Sequence, residues 1–199
     1  MIHADIVLAL RRQLPAWCHR HIDGAFDDPE AAFRVLMGAP NADRPHVVRL
    51  LFAGRASLEV RQRVLRDCWN RDHHHMLNTM ARVEIARLRI AGTIDEALPE
   101  GLTVYRGGTR SLAVERRQWS WTTELGCAAW FAGHYTGRGS GAPLVLRAEI
   151  TRARVAHTDN ERGEREIVII GGCPEAVPVA IGAGEIDRIG LKWRNTGEG

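Results

Sequence analysis

The stretch of sequence that decides the fold is ERGEREIVII, residues 161–170, in which two glutamates precede a run of aliphatic residues. The run Ile167–Ile170 predicts a buried β-strand. Residues two apart in a strand point to the same face, so Glu164 and Glu166 are expected to project into one space. Their mutual repulsion raises the pKa of at least one of them, unless a cation or a hydroxyl-rich ligand lies between them. The simpler interpretation is an exposed strand end, and the motifs upstream decide between the two.

The composition is that of a globular protein: 199 residues, 45% hydrophobic and 26% charged. This length suits one domain with a sizeable core, or one domain with a helical annex. No apolar run approaches the about 18 residues that cross a bilayer, so we expect a soluble protein without a membrane partner. The net charge of +3 is nearly all arginine, because Lys192 is the only lysine. Arginines are in excess between residues 49 and 89, which indicates either a face for nucleic acid or an acidic protein, or a solvated helix surface.

The cysteines and histidines predict neither disulfides nor a metal site. The four cysteines lie far apart with no C-x-x-C pair, so reduced, mostly buried thiols of a cytoplasmic protein are expected. Three adjacent histidines, residues 73–75, cannot share one helix face, and the sequence offers no second pair of ligands. The N-terminus carries its basic pair after its short apolar run rather than before it, which does not favour a secretion signal.

The first half of the chain, residues 1–98, has the periodicity of helices. Pro15 ends the first helix. Asp28 and Pro29 predict the start of another, the first as its cap and the second in its first turn. The longest helix is expected over residues 76–90.

Residues 99–199 have a different sequence pattern, which predicts short strands separated by glycines. The glycine-rich loop over residues 133–143 does not match a dinucleotide-binding turn, because it follows a helix and precedes a strand. The sequence therefore predicts an α+β protein, with a helical region followed by a β-rich core. Strands are expected at residues 102–105, 118–122, 143–150, 154–157, 166–170, 177–181 and 186–193, with a short helix at 124–132.

Three separated motifs stand at the ends of predicted strands: Y-R-G-G at residues 105–108, W-S-W-T-T at 119–123 and E-R-E at 164–166. In this order they resemble the arginine–serine–glutamate class of ADP-ribosyltransferases. That class includes cholera-like and iota-like toxins, vertebrate arginine transferases and phage enzymes. The resemblance covers residues 102–170, about a third of the chain. It implies a core of two packed, mainly antiparallel sheets that takes NAD as co-substrate and uses no metal.

The spacing of small and aliphatic residues adds to this resemblance. Ala128–Ala129 and Phe131–Ala132 follow Ser120 at the family's spacing, and Glu166 leads directly into the aliphatic strand. Each motif alone is a weak signal, so the order of the set carries the resemblance.

The resemblance implies roles for four residues of the first two motifs. Arg106 would anchor a phosphate of NAD, since a guanidinium gives paired hydrogen bonds to phosphate oxygens. Gly107 would let the backbone approach the nicotinamide amide closely. Ser120 and Thr122 match the outer positions of the family's serine–threonine–serine motif, whose hydroxyls hold the catalytic glutamate, while Trp121 replaces the usual middle threonine.

A second arginine is implied in the loop before residues 143–150. Arg138 lies there, where the family's phosphate–nicotinamide loop often carries an arginine. The simpler interpretation of Arg106 and Ser120 is structural, with Arg106 paired to an acid across the sheet. That interpretation does not explain the order of the three motifs.

The resemblance makes Glu166 the catalytic glutamate and Glu164 the residue that orients or deprotonates the incoming nucleophile. Breaking the bond between nicotinamide and ribose creates an oxocarbenium-like centre at C1′, and a carboxylate on the ribose 2′-hydroxyl stabilises the developing positive charge. Nicotinamide leaves as a neutral molecule and needs no acid. A positioned general base contributes about 100-fold or more in rate.

The acceptor is the open part of this prediction. A glutamate at the position of Glu164 most often accompanies arginine acceptors in the family, so a protein arginine is expected, and Asp159, Asn160 and Glu161 are candidates to receive it. The alternatives are RNA or DNA held by the arginine-rich helices, water in an NAD-degrading toxin, and a binding module whose site has decayed. The intact Arg106, Ser120 and Glu166 argue against the last.

Overall fold

The computed structural model describes residues 2–136, 141–160 and 162–196. The chain divides into two compact units, Met1–Gly92 and Thr93–Gly199.

The structure divides the chain between Gly92 and Thr93, whereas the change of sequence pattern predicts a boundary between residues 98 and 99. The reason is the hydrogen bonding of the intervening segment. The Thr93 carbonyl accepts from the Thr158 amide at 2.8 Å, and the Asp95 amide donates to the Thr158 hydroxyl at 2.9 Å. These residues have little periodicity of their own and run beside a strand of the second unit.

The first unit is helical, as the sequence predicts. The predicted cap is confirmed: the Asp28 carboxylate accepts from the Glu30 amide at 2.9 Å, with Pro29 in the first turn. The helices are α1 (Ile2–Gln13), α2 (His19–Ile22), α3 (Pro29–Gly38), α4 (Arg44–Ala53), α5 (Leu58–Thr79), α6 (Arg82–Ile85) and α7 (Leu88–Ala91), with 3-10 turns at Ala16–Cys18 and Gly24–Phe26.

The prediction of one long helix over residues 76–90 is wrong. Helix α5 ends at Thr79, and both Met80 and Ala81 have extended backbones. The Glu84 carboxylate accepts from the Ala81 amide at 2.8 Å, which starts α6 as a separate helix. The apolar period continues across this break, so the sequence pattern did not reveal it.

The second unit contains a six-stranded antiparallel sheet in the order β4-β5-β2-β1-β3-β6, which confirms an α+β fold with a helical first half. Its elements are β1 (Gly101–Gly108), α8 (Leu112–Glu115), β2 (Ser120–Thr122), α9 (Leu125–Thr136), β3 (Leu144–Thr151), β4 (Val155–Asp159), β5 (Glu166–Ile169), β6 (Val177–Pro178) and α10 (Ala183–Asn195), with a 3-10 turn at Arg152–Arg154.

The prediction of a last strand over residues 186–193 is wrong, because this segment lies in helix α10. Ile186, Gly190 and Trp193 are its buried residues, at helical spacing. Gly190 is needed there: a Cβ at this position would lie 2.6 Å from the Trp130 backbone of α9. Helices α9 and α10 therefore pack closely together.

The structure describes one sheet in place of the two packed sheets that the resemblance implies. Few residues are paired across the middle of this sheet. Strands β1 and β2 share a single residue pair, Tyr105 with Thr122, whereas β1 and β3 are paired along eight residues. We call this pair the junction. It joins a half made of β6, β3 and β1 to a half made of β2, β5 and β4.

The two faces of the sheet are buried by different partners. We call the side that carries Tyr105, Thr122 and Glu166 the helix face, because Tyr105 packs with the α9 and α10 residues there. The opposite face, which carries Trp121 and Ile167, holds the larger apolar cluster. That cluster consists of Leu102, Val104, Trp121, Leu146, Ala148, Ile150, Val155, Ile167, Ile169, Cys173 and Ala176.

Candidate functional site

The junction brings the predicted serine–threonine and glutamate motifs side by side. Thr122 is the cross-strand partner of Tyr105 on one side and of Glu166 on the other, and Glu166 is in turn paired with Asp159. Directly opposed residues share a face of the sheet. Ser120, two residues before Thr122, points to this same helix face. Thr122 and Glu166, which are 44 positions apart in the sequence, thus lie side by side.

Glu166 is a buried carboxylate whose charge is poorly compensated. It is 4% exposed, and neither side-chain oxygen has a hydrogen-bond partner among the residues that the structure describes. Burial raises its pKa to about 7. The Ser120 hydroxyl is close enough to lower this pKa in part, although it completes no hydrogen bond to either oxygen, and the charge of Arg162 acts in the same direction. An uncompensated buried polar group costs roughly 1–3 kcal/mol, so this site is arranged at the expense of stability.

Glu164 lies in the loop before β5, not in the strand. Arg165, between the two glutamates, has a positive φ of 44°, so strand alternation does not fix the direction of Glu164. Glu164 is half-buried, and desolvation raises its pKa, while an ion pair with Arg162 at 3.2 Å lowers it. The Glu164 charge also raises the pKa of Glu166. The two carboxylates are therefore close enough to interact, by a loop geometry that the sequence did not predict.

Thr122 fixes the loop that carries Glu164. Its hydroxyl donates to the Glu164 carbonyl at 2.7 Å and accepts from the Glu124 amide at 3.0 Å, just before α9. Thr122 is thus a link between β2, the glutamate loop and α9. This agrees with a positioning role for the hydroxyl, exerted on the backbone rather than on a carboxylate.

Cys127 of α9 neighbours this cluster but is not a reactive thiol. Burial raises its pKa to about 12, and the charge of Glu164 adds to the rise. Only the thiolate is a good nucleophile, so Cys127 is inert at neutral pH.

Arg106 points to the opposite face of the sheet from Glu166, because it is paired with Leu146 and lies one position after Tyr105 of the junction. Its Nε donates to Glu115 at 2.9 Å and its Nη1 donates to the Ser120 carbonyl at 2.6 Å. The second bond replaces the strand pairing that β1 and β2 lack beyond the junction. Arg106 therefore holds β2 in place, paired to an acid on α8 rather than across the sheet.

The two glycines after Arg106 have packing reasons of their own. A Cβ on Gly107 would lie 1.7 Å from the Ala128 carbonyl oxygen, so only glycine lets α9 cross β1 there. A Cβ on Gly108 would lie 2.3 Å from the Glu115 carboxylate. Gly108 thus makes room for the acid that binds Arg106.

The remaining predicted residues lie in two loops. Arg138 and Glu161 are outside the described residues. Asn160 shapes the loop between β4 and β5: its side-chain oxygen accepts from the Arg165 amide and its carbonyl from the Gly163 amide, both at 3.1 Å. Asp159 pairs with Glu166 in the sheet, and its charge raises the pKa of both glutamates.

Sequence reasoning missed two residues of this region, Glu115 and Arg162. Glu115 is 2% exposed and accepts from Arg106. Its only sequence signal was an acid on a short helical turn after the Y-R-G-G motif. Arg162 is placed against Glu164 by the loop, and nothing in the sequence ranked it above the neighbouring arginines.

Among the residues that the structure describes, no cluster of three or more His, Cys, Asp or Glu side chains could hold a metal ion. No helix in the same parts of the chain is long and apolar enough to cross a membrane. Comparison of the chain with family models, with curated proteins and with solved structures finds no significant match. Its function is therefore inferred from the residues of this chain.

Proposed function

We propose that this protein is an NAD-dependent mono-ADP-ribosyltransferase, which cleaves the bond between nicotinamide and ribose and transfers ADP-ribose to a macromolecular acceptor. One observation carries the proposal. Strand β2 sets Ser120 and Thr122 beside Glu166, whose buried carboxylate oxygens have no hydrogen-bond partner within the described parts of the chain. In this proposal the two halves of the sheet that meet at the junction correspond to the two sheets of the family's core.

The chemistry assigns a separate task to each carboxylate. Glu166, once ionised, binds the ribose 2′-hydroxyl and stabilises positive charge at C1′. Thr122 holds the loop that carries Glu164, and the Ser120 hydroxyl lies beside the Glu166 carboxylate. Glu164 is less buried and lies two residues earlier, where it orients the incoming nucleophile and takes its proton.

The described residues fit NAD at one point: the two buried Glu166 carboxylate oxygens, which have no hydrogen-bond partner among these residues, suit a ligand that offers hydroxyls. Because both oxygens are covered, the ribose reaches them only after neighbouring atoms move. Arg106, Gly107, Thr122 and Arg138 remain the predicted NAD-binding residues. The bonds of Arg106 to Glu115 and Ser120 favour a positioning role for it over direct phosphate binding.

A protein arginine is the acceptor that the site favours. The segment before Glu166 holds Asp159 and Glu164, and an arginine of the chain itself already pairs with Glu164. RNA or DNA is the second candidate, on the strength of the arginines between residues 49 and 89. Several of these are engaged within the first unit: Arg49 with Glu84 at 3.2 Å and Arg63 with Asp67 at 2.5 Å. Water as acceptor would make the protein an NAD glycohydrolase.

The cysteines accord with a cytoplasmic site of action, which stays part of this proposal. All four thiols are free and buried.

The test is incubation of the protein with cell lysate and NAD labelled on its adenosine half. Labelled macromolecules are then digested separately with protease and with nuclease. We expect label that is released by protease and resists nuclease. Nuclease-sensitive label would move the acceptor to RNA or DNA, and nicotinamide release without label would make water the acceptor. Unchanged NAD would contradict the proposed function.

A further inference from the structure

An arginine of the chain itself occupies the place where an acceptor guanidinium is expected. The Arg162 Nη2 lies 3.2 Å from the Glu164 Oε2, with the Arg162 side chain 47% exposed and that of Glu164 22% exposed. Arg162 stands in the loop between β4 and β5, four residues before Glu166. Its guanidinium is thus held by one glutamate, close to the other, and still open to solvent on one side.

We propose that Arg162 is itself an acceptor, so that the protein ADP-ribosylates its own glutamate loop. This inference rests on the proposed function, and it names one substrate of that site. A guanidinium paired with Glu164 has the chemistry and the place that transfer to arginine requires. The charge of Arg162 lowers the pKa of both Glu164 and Glu166, which supports its closeness to the pair.

The step balances without a further reactant. The bond between C1′ of the ribose and the nicotinamide nitrogen breaks, and its electron pair leaves with neutral nicotinamide. A bond forms between C1′ and the Arg162 Nη2. The proton displaced from that nitrogen passes to Glu164 and then to solvent, so the modified arginine keeps its single positive charge.

Arg165 provides a matched comparison within the same loop. It is 61% exposed, more than Arg162, yet its Nη1 is bound to Glu124 at 2.6 Å. If exposure alone selected the modified arginine, Arg165 would be labelled first. If pairing with Glu164 selects it, only Arg162 is labelled.

Transfer within one chain follows from the position of Arg162 beside the glutamates of its own loop. An E166Q chain, which keeps Arg162 but lacks the catalytic carboxylate, should therefore stay unmodified when it is mixed with active protein. External acceptors compete with Arg162 for Glu164, and modification of Arg162 places a bulky anionic group where they would bind.

The experiment is incubation of the full chain alone with NAD, followed by peptide mass spectrometry that locates the modified side chain and by measurement of released nicotinamide. We expect ADP-ribose on Arg162 in the wild type and in R165K, its loss in R162K, and none on E166Q chains mixed with wild type. If every protein except E166Q releases nicotinamide but Arg162 stays unmodified, this inference is overturned and the proposed function stands.

Two further outcomes separate the remaining explanations. A raised KM for NAD in R162K, with no modification at Arg162 in the wild type, would make Arg162 a ligand of NAD and overturn the inference. Absence of nicotinamide release from the wild type would overturn the inference and the proposed function together.

Discussion

At the scale of single residues, Glu166 departs from what stability alone would select. Its carboxylate is 4% exposed and has no hydrogen-bond partner in residues 2–136, 141–160 and 162–196, so its burial is a cost to folding. Such groups are concentrated at sites where a ligand supplies the missing partners. The burial of Glu166 therefore has consequences for stability and for activity that can be measured separately.

We expect Glu166 to make the protein less stable as the pH rises. Its pKa in the folded state is about 7, above its ordinary value, so the folded protein holds this proton more tightly than the unfolded chain. The bound proton stabilises the folded state by roughly 3 kcal/mol in total. This stabilisation is complete below about pH 4.5 and is lost as the pH rises through about 7. E166Q cannot lose a proton. It should match the wild type at pH 4 and exceed its stability at pH 8, in urea unfolding at both values.

The matched control is E164Q, since Glu164 is partly exposed and gains less from neutralisation. Comparing each variant with the wild type at the same pH removes the contribution of groups that do not interact with either glutamate. An E166Q protein that is less stable than the wild type at pH 8 would show that Glu166 has partners in its charged form.

The same pKa predicts the pH dependence of activity with the opposite sign. Stabilising positive charge at C1′ requires an ionised Glu166, so kcat/KM for NAD cleavage should rise tenfold per pH unit below about pH 7 and level off above it. Initial rates between pH 5 and 9, at low NAD concentration, measure this. A profile that is flat across that range would contradict the assignment of Glu166.

At the scale of elements, the sequence predicted those segments whose local pattern and packing agree. Helix α3 has its cap and its proline, and β5 has an unbroken aliphatic run, so both were placed correctly. The strand prediction for residues 186–193 failed because Ile189, Leu191 and Trp193 are apolar at every second position, as in a strand. In the structure Leu191 is 60% exposed, and contact with α9 selects the helix. That contact is tertiary and leaves little local signal.

The crossing of α9 over β1 depends on Gly107, and a methyl group there should be costly. Because its Cβ would lie 1.7 Å from the Ala128 carbonyl oxygen, G107A should lower the free energy of unfolding by about 3 kcal/mol. Gly101, at the other end of β1, has open space where a Cβ would lie, with nothing within 4 Å, so G101A is the matched control and should be close to neutral. Chemical denaturation of the two variants compares them directly. Equal stability would mean that α9 does not cross at Gly107.

The ion pair between Arg106 and Glu115 should matter far more than an exposed pair in the same sheet. E115A leaves Arg106, whose side chain is 17% exposed, without this partner, so we expect a loss of roughly 3–5 kcal/mol. E149A removes an acid that is 61% exposed from its pair with Arg147, at a cost of at most about 1 kcal/mol. Thermal unfolding of both variants tests this. Similar small losses would show that Arg106 does not depend on Glu115 to hold β2.

At the scale of the whole molecule, the sequence predicted a set of candidate site residues but not their geometry. The order of the three motifs selected Arg106, Ser120, Thr122 and Glu166, and the sheet brings the last three together on the helix face. The orientation of Arg106, away from Glu166, could not be predicted from the sequence. Nor could its pairing with Glu115, because a buried pair nine residues apart depends on how α8 folds back. The positive φ of Arg165 likewise has no local signature.

The most direct test of the central claim measures nicotinamide release and label transfer in parallel for the wild type, E164Q and E166Q. We expect E166Q to lose both activities, since a neutral amide cannot stabilise positive charge at C1′. E164Q should lose most of the transfer and keep appreciable nicotinamide release, because water needs little positioning once C1′ is activated. Circular dichroism confirms that each variant is folded. A folded E166Q protein that releases nicotinamide at the wild-type rate would contradict the account.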